Sequence, residues 1–212
     1  MSIPSENEVL KFMRDESKPY EFELVKDIQP LRVSVERKVI YVNKNVLLSV
    51  IADLVKHGVD WKEIMRKNLQ HEKAHEKYQK WIYKWSVGVA DHGWLASYLV
   101  DIVIDKIHFK SDERYQKWLL ADSRHAFKNI KKEIWELFPR VSDRVEFLYN
   151  QAAYWVATGA VSLDEAVNLY PEKADYIVEM SQLFSKIRSE EDLEWAFLQA
   201  KKIYFEHFSK RL

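Results

Sequence analysis

Val39-Ile40-Tyr41-Val42-Asn43-Lys44-Asn45 marks the point where the hydrophobic period of this chain changes from two residues to 3.6. Upstream, Tyr20-Glu21-Phe22-Glu23-Leu24-Val25 and Leu31-Arg32-Val33-Ser34-Val35-Glu36 alternate apolar and polar residues, as half-buried strands do. Val39–Val42 is a third strand-like run that follows closely, and Glu36-Arg37-Lys38 supplies a hairpin connection to it. Two or three short strands are therefore expected before residue 43, after a short helix over 5–15 with Ser5 as N-cap.

Downstream the helical period persists to the end. Asn43 or Asn45 caps a helix to about His57, ended by Gly58. Asp60 starts a long helix with an apolar stripe of Trp61, Ile64, Met65, Leu69, Ala74, Tyr78, Trp81, Ile82 and Trp85, closed by Gly88. Asp91-His92-Gly93 opens a helix to about Phe109, and Ser111-Asp112 caps one that reaches Leu137 before Phe138-Pro139. Further helices are predicted from Ser142-Asp143 to Gly159, from Ser162, from Pro171 to about Arg188, and from Glu190 to Lys210. The fold class is α+β and predominantly α-helical, with a small N-terminal sheet.

The 212 residues are 47% hydrophobic and 31% charged, a profile that supports a substantial core. Lys and Arg number 33, as do Asp and Glu, so no basic footprint points to nucleic acid. No apolar run reaches the roughly 18 residues a membrane span needs, so no membrane partner is expected. The first residues lack a basic region followed by an apolar one, which makes the cytoplasm the expected address. Cysteine is absent, so any metal site must be built from His and carboxylates.

Within the long helix, His71-Glu72-Lys73-Ala74-His75 is an H-E-x-x-H motif. Positions i and i+4 of a helix share a face, so His71 and His75 can offer two imidazole nitrogens to one metal ion. Zn²⁺ held there lowers the pKa of a water, and Glu72, beside the open position, can take its proton as that water attacks a carbonyl. That is the chemistry of peptide hydrolysis.

Strands, a helix, a helix bearing H-E-x-x-H and then another helix form an order that resembles the zincin metallopeptidases of the gluzincin type, over roughly residues 20–110. The resemblance implies a metallopeptidase core over 1–110, a Zn²⁺ cofactor and a peptide or protein substrate; residues 111–212, which have no counterpart in it, are read as a helical extension packed on that core. It further implies an acidic third ligand on the helix after the motif, and an Asp four residues later that hydrogen-bonds a ligand imidazole. Asp101-Ile102-Val103-Ile104-Asp105 fits that place. Asp101 is assigned as third ligand and Asp105 as the partner of His71, with Asp105 as ligand the alternative. The chain departs from the family in having Asp rather than Glu as ligand, and charged Lys73, Glu76 and Lys77 around the histidines. Lys73 in the cleft would pair with Glu72 and disable the base.

His108, seven residues after Asp101, is a candidate for polarising a substrate carbonyl, as are Tyr149 and Tyr154. Two other readings compete. Glu72-x-x-His75 and Asp122-x-x-His125, with Asp53 and Asp101, match the ligand pattern of a di-iron carboxylate bundle. Alternatively, Trp118, Trp135, Tyr154, Trp155, Trp195, Phe197, Tyr204 and Phe205, at helical spacing, could form the core or docking wall of a non-catalytic helical interaction module.

Overall fold

Short polar side chains start the helices where the sequence marks them. In the computed structural model, Ser5 and Ser162 each form a reciprocal capping box, with Glu8 and Glu165 respectively. Asn43, Asp60 and Asp112 accept backbone N–H bonds from the first turns that follow them. Each such cap satisfies a donor the helix cannot, at about 0.5–2 kcal/mol. The structure describes residues 2–26, 31–34, 36–56, 58–86, 93–137 and 141–208. His57, Gly88, Asp91 and His92 lie outside these, as does the Phe138-Pro139 stop.

The elements are α1 (Glu6–Glu16), β1 (Glu21–Leu24), β2 (Leu31–Ser34), β3 (Val39–Val42), α2 (Lys44–Lys56) and α3 (Trp61–Ser86). They continue with α4 (Gly93–Val103), α5 (Glu113–Leu137), α6 (Val141–Thr158), α7 (Leu163–Leu169), α8 (Ala174–Lys186) and α9 (Leu193–Phe208). The α+β, mostly helical class is as the sequence indicates. A π-helical turn, Ile104–His108, follows α4, and Phe109 N–H closes it on the Ile104 carbonyl at 3.0 Å. Among the described residues, no helix is long and apolar enough to cross a membrane.

Contacts divide the chain into two compact units, residues 1–77 with 131–137 and residues 78–130 with 138–212. In the first, β2 and β3 form the antiparallel hairpin, Leu31 opposite Val42 and Ser34 opposite Val39. Lys38 takes a positive φ of 52° in its turn. β1 adds to the other side of β3 in parallel, giving the order β1-β3-β2. Leu31, Ile40 and Val42 are buried. Arg32 and Tyr41, opposite each other, turn to the other face, where the Arg32 guanidinium lies 4.8 Å from the Tyr41 ring centroid. α2 buries Leu47, Val50, Ile51, Leu54 and Val55, an i, i+3, i+4, i+7, i+8 stripe.

In the second unit α6 and α8 pack along each other, and the Tyr176 hydroxyl of α8 donates to Asn150 Oδ1 of α6 at 2.8 Å. α4 packs against α6 and α9. Of the aromatic stripe, Trp118, Tyr154, Trp155, Phe197 and Tyr204 are buried, so most of it is core; Trp195 and Phe205 are exposed.

Candidate metal centre

Successive side chains of α3 leave the helix about 100° apart, so neighbours in the motif meet different surroundings. His71 and His75 share a face, with ring centroids 5.0 Å apart at 77°. Glu72 turns toward the sheet, where its Oε2 accepts the backbone N–H of Val33 in β2 at 2.9 Å. Glu76, one turn on, accepts the Tyr20 hydroxyl at 2.7 Å and is ion-paired with Lys38. Hydrogen bonds from Lys38 and then Tyr20 hold its carboxyl below the usual range. Lys73 leaves in a third direction: its Nζ donates to the carbonyls of Glu16 at 2.9 Å and Lys18 at 3.1 Å, at the C-terminal end of α1. Burial lowers its pKa, while the charge of Glu16 opposes that shift. Lys73 thus serves α1 in the manner of a C-terminal cap.

His71, His75 and Asp101 are all half-buried, and each offers a ligand atom such that the three atoms lie within 4.8 Å of one another. This group could hold a metal ion. Two imidazoles and one carboxylate are a donor set that zinc accepts, with one position left for water. No other group of three or more such residues stands together among the described residues, so Asp122 and His125 lie outside any.

The two aspartates that share a face in the sequence meet different surroundings. Asp101 sits on α4, half-buried; Asp105 lies inside the π-helical turn and is fully buried. The hydroxyls of Tyr115, on α5, and Tyr154, on α6, both donate to the Asp105 carboxylate, and Gln116 Nε2 donates to its main-chain carbonyl at 2.7 Å. Burial first, and then the charge of Asp105, push both tyrosine pKa values far above the ordinary one. The sequence reading missed Tyr115 and did not link Tyr154 to Asp105. Nothing in a spacing of 10 or 49 residues signals such contacts.

His108 ends the π-helical turn on the surface, its ring 4.6 Å from that of Phe109 and 6.2 Å from that of Tyr78. Tyr149 donates to Glu172 at 2.8 Å. Comparison with protein-family models, with curated proteins and with solved structures finds no match. The functional reading therefore rests on the site itself.

Proposed function

We propose that this protein is a zinc-dependent metallopeptidase. The observation that carries the reading is the convergence of the His71, His75 and Asp101 ligand atoms within 4.8 Å, with Glu72 on the same helical turn. A zinc ion held by these three would polarise a carbonyl and lower the pKa of a water. Glu72 is the general base toward that water and then returns the proton to the leaving amine. Its Oε2 is held by the backbone N–H of Val33.

Asp105 orients the imidazole of His71. Its carboxylate also accepts the hydroxyls of Tyr115 and Tyr154, which fix its own position. His108, exposed and able to donate, is the candidate group toward the developing oxyanion. The placement of Lys73 on the α1 carbonyls supports the reading, because it directs this cation away from pairing with Glu72. The substrate class is peptide, in keeping with a neutral chain without a nucleic-acid footprint.

Metal analysis by plasma mass spectrometry tests the site. Wild type should carry about one zinc per chain, and His71→Ala and Asp101→Ala should lose it. A peptide-library cleavage assay then tests the activity. Zinc-loaded wild type should cleave, and Glu72→Gln should keep its zinc and lose turnover. Two irons per chain, or no metal after reconstitution, would sink the proposal.

A further inference from the structure

Glu72 is held by backbone. β2 is paired on one side by β3, and the sheet order places it at the edge of the described sheet. In an antiparallel pair, alternate residues turn both backbone polar groups away from the partner. Val33 occupies such a position, and its N–H donates to Glu72 Oε2 at 2.9 Å. The strand itself is fixed by its hairpin register, Arg32 opposite Tyr41 and Ser34 opposite Val39. Its inner side is anchored by buried Leu31. One turn along α3, Glu76 is tied to Tyr20 and Lys38, so the same side of the helix is pinned twice.

We propose that the backbone N–H of Val33 is a positioning group for Glu72: edge strand β2 belongs to the catalytic apparatus because it fixes the carboxylate that moves the proton. The inference rests on the metallopeptidase reading above. A glutamate has three rotatable side-chain bonds, and a base must lie within hydrogen-bond reach of its proton. A donor from a rigid strand removes the rotamers that point elsewhere, whereas a flexible side-chain donor would not. Misplacing a catalytic group by about 1 Å can lower a rate roughly 100-fold.

The experiment has two parts. Amide hydrogen exchange of the metal-free protein reads the contact without any activity. The Val33 amide should be protected in wild type and in Glu72→Gln, whose side-chain oxygen still accepts, and should exchange at least about 10-fold faster in Glu72→Ala. Equal exchange in wild type and Glu72→Ala would overturn the inference. The second part removes the donor with Val33→Pro, which an edge strand tolerates where the N–H points away from the ladder. The zinc-loaded variant should keep about one zinc per chain and lose kcat by about 10- to 100-fold, with KM unchanged within about twofold. A variant as active as wild type would overturn the positioning role, and so would a rise in KM at constant kcat, which would make this amide a substrate contact. If wild type itself binds no zinc or turns nothing over, the metallopeptidase reading fails and the positioning role falls with it. The exchange result then still reports the Glu72–Val33 contact on its own.

Discussion

Glu72-Lys73-Ala74-His75 on α3 and Asp122-Ser123-Arg124-His125 on α5 have the same spacing, and a helix presents both pairs in the same way. Only the first has its histidine in a group of potential ligands among the described residues. His71 adds a second imidazole on the same face, and Asp101 supplies a carboxylate from another helix. On α5, His125 is buried, and Asn129 lies one turn on with Nδ2 3.3 Å from His125 Nδ1, also donating to the His125 carbonyl at 3.0 Å. Helical spacing can bring two ligands together, but the third must come from the fold. A carboxylate–x–x–His pair alone therefore says little about metal.

The sharpest way to break this comparison is to neutralise each acid in turn. Glu72→Gln should lower peptide turnover by about 10²–10⁴ while zinc content stays the same, and Asp122→Asn should change neither. Loss of metal from the Asp122 variant would favour the carboxylate-bundle reading instead. Exchanging the histidines comes next. At free zinc about 100-fold above its dissociation constant, wild type should gain roughly 2.7 kcal/mol of stability over the chelator-treated protein in denaturant titration. His71→Ala should gain almost none, whereas His125→Ala should retain the zinc-dependent increment, whatever its absolute stability.

Asp105 sharpens the contrast between an acid available to chemistry and one that holds the core. Replacing it by Ala removes the acceptor of two buried tyrosine hydroxyls, each costing about 1–3 kcal/mol when left unsatisfied. Asp105→Ala should therefore lower unfolding free energy by about 2–5 kcal/mol, read from urea midpoints at unchanged m-value. Tyr115→Phe, which removes one donor, should cost about 1 kcal/mol. The smallest effect is a pH response. Burial, followed by the charge of Glu172, raises the Tyr170 pKa to about 12, from about 10 for an unfolded tyrosine. A raised folded pKa keeps the proton on the native protein, so this contribution is complete below about pH 10 and is lost as pH rises toward 12. Tyr170→Phe should flatten the decline of stability across that window. Tyrosinate absorbance from buried Tyr115 and Tyr154 should appear together with unfolding rather than before it.

Much of the local structure was legible because its causes are local. Ser5 with Glu8 and Ser162 with Glu165 carry the capping signal three residues apart, and both form in the structure. The alternating runs became strands because period two can bury only one face, although the first two shortened to four residues while Val39–Val42 kept its full length. The helix expected from residue 91 to about 109 is described as α4 from Gly93, passing into a π-helical turn at Ile104. One extra residue in a turn leaves no mark in the hydrophobic pattern of so apolar a helix. The i, i+4 histidines were readable for the same reason the caps were: the helix itself places them.

What the sequence determined about this protein is accordingly what a few neighbouring residues decide: the mostly helical α+β class, the β2–β3 hairpin, the caps, and two imidazoles on one face of α3. The tertiary structure alone decided the parallel addition of β1 to β3. It also sent Lys73 to the end of α1, Glu72 to the Val33 amide, and Asp105 to two tyrosine hydroxyls. Each of these joins residues whose separation along the chain carries no periodic signal. Local rules fix which way a side chain leaves its own helix; what it meets there depends on how distant segments pack.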